Sequence, residues 1–585
     1  MAEPSYSGGG APAPHRRAAP SQSGARTAST TPIRIVFLGG LGEIGRNCMA
    51  IEQGDGAARQ ILLIDCGLMF PGPEMRGIDL VLPDFSYLIE HADKLVGLVA
   101  THGHEDHIGG ISYLLRDASF PIYGSALTLG LARNRIEEAG LLDKTELVAV
   151  ADGARIRIGL FDVEFVAVTH SVPHAHAIIV HTPQGAIVHS GDYKLDLTPV
   201  DGRHTDLARF GELAKTSGIR LLMSDSTNAE EPGHAPSETS VGGVLRSLFA
   251  ANRGRRVITA SFASHLHRIQ QIADAAIDSG RKVATLGLSM RKNVRLGIEL
   301  GVLSIPESSL VDIEDIAAYE PGEICVISTG SQGEPMSALS LLARGENKWV
   351  KLTDTDTVIL SSHAIPGNEM NVNQVIDGML RAGADVVHSG VYDVHATGHA
   401  QADDIKTYLS VLQPEWYIPI HGEFRHLVAN GRLGEVMGVP RDRILACEDG
   451  DVVELTDRGV ARTGRVPAGY LYVDGIVGDV GSGVLRDRRV LSEEGVVVVV
   501  VTVDTQTGKV LTGPEIITRG WVYAPEAEAL LDEACDRVAQ TVEASLANGV
   551  KDVEALELDV RRVAQKFVNE RTRRRPMIVP VVMEA

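Results

Sequence analysis

The heptapeptide Thr101-His-Gly-His-Glu-Asp-His107 constrains this chain more than any other stretch. It sets His102, His104, Asp106 and His107 between the apolar run Leu95-Val-Gly-Leu-Val-Ala100 and the segment Ile108-Gly-Gly-Ile-Ser-Tyr-Leu-Leu115. A strand ending there delivers the four side chains on a tight loop at the lip of a sheet, with a helix starting beneath them. Neutral imidazole and carboxylate are ligands that suit zinc or manganese. His102 and His104, two positions apart, can share one ion, while Asp106 and His107 emerge from the next turn and can hold a second. The spacing predicts a dinuclear metal site rather than a solvated histidine-rich turn.

Two later strands each end on a further donor. The strand-like run Val163 to Val168 leads into Thr169-His170, and Ala186 to His189 leads into Ser190-Gly-Asp192. His170 would complete the first ion's shell, and Asp192 can bridge both ions. Upstream, a strand from Ile33 to Leu38 runs into Gly39-Gly-Leu-Gly-Glu-Ile-Gly45, which carries the spacing G-x-G-x-x-G and an acidic Asp65 some twenty positions on. A dinucleotide fold needs a crossover helix at this point, but Asn47 to Ile51 and Gly54-Asp-Gly56 read as a hairpin. The glycines are therefore expected as a turn packed against the metal centre, with Asp65 at a strand end orienting a ligand.

Composition sets the outer bounds. A chain of 585 residues with 44% hydrophobic and 22% charged content has room for several packed domains. Its five cysteines (Cys48, Cys66, Cys325, Cys447, Cys535) form no C-x-x-C pair, so no disulfide framework is expected and the cytoplasm is the expected compartment. No apolar run reaches membrane-spanning length, and residues 1–31, rich in Ala, Pro, Ser and Gly, read as a disordered tail. A net charge of -21 opposes indiscriminate binding of nucleic acid, although two metal ions and a few convergent donors can outweigh the bulk field within about 10 Å.

The order H-x-H-x-D-H, then a strand-end histidine, then Gly-Asp, resembles the metallo-β-lactamase superfamily. Gly39 to Asn47, Asp65-Cys-Gly-Leu-Met-Phe-Pro71, Gly191-Asp-Tyr-Lys-Leu-Asp196 and Asp225-Ser-Thr-Asn228 narrow the resemblance to the β-CASP branch and, within it, to the bacterial ribonuclease J family. It spans nearly everything from Ile33 onward. The fold it implies is α/β: an αββα sandwich over residues 32–228 and 385–454, an inserted β-CASP α/β domain over 229–384, a linker over 455–484 and a small α/β domain over 485–585. The valine run Val496 to Val503 reads as a buried strand of that last domain, followed by helical periodicity from Glu526 to Ala547 and Asp552 to Thr572.

By this resemblance two zinc ions, with manganese or magnesium as substitutes, are held by His102, His104, His170 and Asp192, and by Asp106, His107, Asp192 and His421. Asp225, His399 and Asp106 are the expected catalytic residues, with His399, oriented by Asp225, protonating the leaving 3′ oxygen. Phe262, Ala263, Ser264, Ser331, Gln332, His395, Ala396, Thr397, Gly398 and His399 are expected to bind substrate, several of them around a 5′ monophosphate. A structural calcium ion at Gly77, Asp79 and Asp474 is a further implication. The activity implied is hydrolysis of single-stranded RNA, 5′-to-3′ with internal cleavage as well, in rRNA maturation and mRNA decay. Histidine at position 421, where DNA-processing relatives tend to carry valine, favours RNA. The implied partners are further copies of the chain, as a dimer or tetramer, and other RNA-decay enzymes. The competing readings are an inert RNA-binding scaffold of a degradosome and a metal-dependent hydrolase of DNA or small esters.

Overall fold

The computed structural model describes residues 31–334, 336–365, 368–475, 480–522 and 527–585. The tail expected over 1–31 therefore lies, but for Thr31, outside the described residues. Two sheets face one another. The first has eight strands, in the order Gly459–Arg465, Asp451–Thr456, Ile33–Gly39, Cys48–Gln53, Gln60–Cys66, Leu95–Val99, Ile122–Gly124, Leu147–Ala149. The second has six, in the order Trp416–Ile420, Ile219–Asp225, Gly185–His189, His176–Thr182, Phe161–Ala167, Arg155–Ile158.

Strand periodicity explains the layering. Ile33, Ile35 and Phe37 point between the sheets, where they meet Val163, Phe165, Ile178, Val180, Leu221 and Met223. Their neighbours Val36 and Leu38 face outward, as do Ala177, Ile179 and Leu222 on the far sheet, each under a helical layer. Such strands are apolar on both faces because both faces are covered. The glycine-rich turn after Ile33–Gly39 leads into Cys48–Gln53, which pairs antiparallel with both Ile33–Gly39 and Gln60–Cys66. That meander rules out a dinucleotide crossover there.

A third sheet is wholly parallel, in the order Leu310–Val311, Lys282–Leu286, Ile324–Ser328, Arg256–Ala260, Asp356–Leu360, Asp385–His388. Its last strand lies beyond the expected boundary at 384. The expected linker 455–484 is also corrected: it contributes Gly459–Arg465 as an edge strand of the first sheet, and Tyr470–Val473, which pairs with Leu80–Pro83. An edge strand with one polar face has a weak apolar signature, so its sequence reads as a connection. At the C-terminal end, Val496–Asp504 pairs antiparallel with Lys509–Arg519 and parallel with Met577–Glu584 under helices Glu528–Ala547 and Val553–Thr572. It is not fully buried. Val497, Val499, Val501 and Val503 pack under the helices, while the alternate residues are only half-buried on the other face.

Candidate metal centre

Every donor sits just past the C-terminal end of a strand. Leu95–Val99 leads to His102 and His104 and then to the short helix Glu105–Ile108, which carries Asp106 and His107. The helix thus starts earlier than expected and breaks before a second turn, Ile111–Leu114. His170 follows Phe161–Ala167, Asp192 follows Gly185–His189, and His421 follows Trp416–Ile420. Donor atoms of His102, His104, His170 and Asp192 lie within 4.8 Å of one another, as do those of Asp106, His107, Asp192 and His421.

Hydrogen bonds on the outer ring nitrogens aim the inner ones. Asp65, at φ 60, accepts from the Thr101 N–H and hydroxyl, both at 2.8 Å, and lies 2.8 Å from His107 Nδ1. Because the Thr101 hydroxyl donates to Asp65, it accepts from His102 Nδ1 at 3.1 Å. The same relay holds His421: Thr227 Oγ1 donates to Asp225 at 2.8 Å and stands 2.7 Å from His421 Nδ1. His170 Nδ1 donates to the Gly398 carbonyl at 2.7 Å. Each of these four rings therefore turns its Nε2 inward, the nitrogen that would bind a metal.

The electrostatics ask for a cation. Burial keeps His102 and His170 far below the usual histidine range and His104 at about 4, so these rings are neutral. Their nitrogens nonetheless crowd together, with His104 Nδ1 3.0 Å from His102 Nε2 and 3.1 Å from His170 Nε2. Burial also disfavours charge on His421, but Asp192, Asp106 and Asp225 outweigh it and push its pKa up to about 10. His107 is raised in the same way, against burial, by Asp192, Asp106 and Asp65. Asp192 Oδ2 is buried without a well-formed hydrogen bond, although nitrogens of five imidazoles, from His107 at 3.2 Å to His399 and His421 at 3.9 Å, surround it. A divalent cation bound by these inward nitrogens and carboxylates would replace the protons that Asp192 draws onto His107 and His421, so the donor set fits a metal and the cluster is a metal-binding site.

Beside it, His399 Nδ1 stands 2.8 Å from Asp225 Oδ2. Burial opposes charge on His399, yet Asp225 and Asp192 raise its pKa. The expected substrate residues lie on neighbouring loops. Phe262, Ala263 and Ser264 follow Arg256–Ala260, Ser331 and Gln332 follow Ile324–Ser328, and His395 to His399 run past the metal cluster. Thr397 Oγ1 accepts from Asn228 Nδ2 at 2.8 Å and from the His399 N–H at 3.2 Å, which leaves its own proton to donate. His395 Nδ1 is buried without a partner, and Ala396 is buried. Gln332 also ties down a loop: its amide donates to the His363 carbonyl at 2.8 Å and accepts from the Ile365 N–H at 2.7 Å.

Gly77, Asp79 and Asp474 lie near one another, with the Arg488 guanidinium beside Gly77 and Asp474. Arg488 donates to the Gly77 carbonyl at 3.0 Å and pairs with Asp474, while Asp79 accepts from the Gly475 N–H at 2.7 Å. Asn47 and Thr227 were not singled out from sequence, yet Asn47 Nδ2 donates to the Asp106 carbonyl at 3.1 Å and Thr227 carries the relay to His421. Both lie in stretches that carry the resemblance, but their partners are remote in sequence.

Family profiles agree with this architecture. "Metallo-beta-lactamase superfamily" matches residues 41–235, "Ribonuclease J, beta-CASP domain" 254–379, "Zn-dependent metallo-hydrolase RNA specificity domain" 384–440 and "Ribonuclease J C-terminal domain" 483–585. Among curated relatives, Ribonuclease J 1 of Streptococcus pyogenes is 40% identical over 94% of this chain and 97% of its own. Ribonuclease J of Mycobacterium tuberculosis is 43% identical over the same shares. A solved Enterococcus faecalis protein of unknown function shares the fold, with a TM-score of 0.53 and 16% identity over 72% of this chain and all of its own. The chain belongs to the ribonuclease J family, in the β-CASP branch of the metallo-β-lactamase superfamily.

Proposed function

We propose that the chain is a metal-dependent ribonuclease that degrades single-stranded RNA from a 5′ monophosphate end and also cuts internally, in rRNA maturation and mRNA decay. The observation that carries this reading is the convergence of five imidazoles on the buried Asp192 Oδ2, next to the His399–Asp225 pair. His102, His104, His170 and Asp192 would hold one zinc ion, and Asp106, His107, Asp192 and His421 a second, with manganese or magnesium as substitutes. Two such ions supply an activated water and offset charge on the phosphodiester.

The remaining work falls to side chains. His399, protonated and held by Asp225, donates its proton to the leaving 3′ oxygen, so that hydrolysis yields a 3′ hydroxyl and a 5′ phosphate. Thr397, with its free hydroxyl proton, and the loops at Phe262 to Ser264 and His395 to Gly398 bind a terminal phosphate one nucleotide from the ions. That spacing releases mononucleotides, and a strand threaded past the pocket is cut internally.

Homo-oligomers, as dimers or tetramers, are supported by the uncovered face of the C-terminal sheet, where half-buried Val498 and Val500 pair with half-buried Val579 and Val581. Free thiols at all five cysteines, including the cross-strand partners Cys48 and Cys66, fit a reducing cytoplasm. Among the described residues, no helix is long and apolar enough to cross a membrane.

The test compares 5′-monophosphate, 5′-triphosphate and 5′-hydroxyl forms of one single-stranded RNA, with the matching DNA, before and after chelation and metal restoration. Metal-dependent mononucleotide release from the monophosphate RNA is expected. Internal cuts indifferent to the 5′ end would remove the end-binding pocket, and absence of RNA cleavage with every metal would leave the scaffold reading.

A further inference from the structure

Four arginines are buried among the described residues, and three have carboxylate partners: Arg46 with Glu43 and Asp449, Arg220 with Glu415, and Arg268 with Glu238. Among the described residues, Arg281, 3% exposed, has no carboxylate within 4.0 Å. Its Nη1 donates to Ser279 Oγ at 2.6 Å and its Nη2 to the Asn252 carbonyl at 2.7 Å, and its Nε has no partner. Carbonyls at a helix end carry only partial charge, so they satisfy N–H groups without neutralising the cation. Burial lowers the Arg281 pKa, and no carboxylate acts against that. A buried charge without a counter-charge is costly and is normally paired.

Arg281 lines a cavity of about 320 Å³ that Arg246 and Arg253 also line. Both of these are exposed, and neither forms an ion pair among the described residues. Asp278 is the single carboxylate in the lining and, among the described residues, has no cation within 4.0 Å, so the side chains carry a surplus of two positive charges that exceeds the partial negative charge of the two helix ends. Gly254, at φ +82, and Gly322 form a bare backbone wall. A Cβ on Gly322 would lie 2.7 Å from Gly254 Cα, whereas one on Gly254 would meet nothing within 4 Å. In a chain of net charge -21, three guanidiniums in one small concavity are a local exception that concentrates anions.

The location separates this cavity from the metal centre. It lies at the C-terminal ends of helices Glu238–Ala251 and Leu266–Asp278 and beside the starts of strands Arg256–Ala260 and Ile324–Ser328. The loops that face the metal cluster leave the opposite ends of those same strands. We propose that this cavity is a second anion site, one that binds the phosphate group of a small ligand such as free phosphate or a mononucleotide. Guanidinium forks match phosphate oxygens in pairs. The small, half-open volume, at the strand starts away from the metal cluster, favours a small ligand over an RNA strand.

Titration calorimetry of the full chain with inorganic phosphate, and separately with adenosine 5′-monophosphate, tests this. The metal centre also attracts phosphate, so binding is compared in the wild type, in Asp192→Asn and in Arg246→Glu/Arg253→Glu. The site is expected to persist in Asp192→Asn and to weaken by at least about tenfold in the double charge reversal. Both reversed residues are exposed, so the thermal midpoint without ligand should not move, and RNA hydrolysis at saturating RNA should be retained. Three results would overturn the proposal: no saturable phosphate binding in Asp192→Asn, binding indifferent to Arg246 and Arg253, or a charge-reversal effect on binding of a 5′-hydroxyl RNA oligomer alone.

Discussion

His170 donates from Nδ1 to the carbonyl of Gly398 at 2.7 Å, across 228 positions of sequence. One bond thus fixes the tautomer of a metal ligand and seats the loop that carries Thr397 and His399. A Cβ on Gly398 would lie 2.7 Å from His170 Cε1 and 2.9 Å from Nδ1. Gly398→Ala should therefore swing His170 and weaken metal binding by about 10- to 100-fold. Titration against a metal buffer reads this directly, and an unchanged affinity would show that His170 is not held by this contact.

His399 is assigned the proton for the leaving 3′ oxygen because Asp225, 2.8 Å away, holds it and raises its pKa. His399→Ala should lower kcat by about 10²- to 10⁴-fold while metal content stays at the wild-type level. A substrate with sulfur in place of the 3′ bridging oxygen leaves without protonation. The variant should cleave it nearly as fast as the wild type does, and an equal defect on both substrates would assign His399 to positioning instead.

Thr397 accepts two hydrogen bonds and keeps one proton free. Thr397→Val removes that donor, so the preference for a 5′-monophosphate end should disappear while internal cleavage continues. Thr397→Ser should restore the preference. Product analysis on end-labelled RNA distinguishes the two activities.

Glu164 shows how stability should depend on pH. Burial would raise its pKa, but contacts with His181 at 2.8 Å and with Arg209 at 2.5 Å hold it at about 2, against an ordinary value of about 4.5. A depressed carboxylate contributes stability above its unfolded pKa and loses it as pH falls through the folded one. The difference in thermal midpoint between the wild type and Glu164→Gln should thus be full at pH 6 and shrink between about pH 4.5 and 2. A difference that grew on acidification would contradict the ion pairing.

Much of this was legible in sequence because metal chemistry demands particular residue types at strand ends. All seven donors follow apolar runs that read plainly as strands, and Asp65 could be placed because a glycine turn and a hairpin bring its strand end to the site. What stayed hidden depends on contacts between remote positions. Arg488 reaches Gly77 and Asp474 from the C-terminal region, and nothing near residue 77 announces it. Gln332 braces the backbone of His363 and Ile365, a contact its own loop does not foretell. Gly459–Arg465 reads as a linker because an edge strand needs only one apolar face.

Metal content and hydrolysis of a 5′-monophosphate single-stranded RNA, measured on the same preparations of wild type and Asp192→Asn, test most directly whether one set of side chains both holds the ions and makes the chain a ribonuclease. Two equivalents of divalent metal per chain are expected in the wild type, with RNA hydrolysis that chelation abolishes, and loss of both metal and activity in the variant. Full hydrolysis by a metal-free Asp192→Asn protein would contradict this assignment.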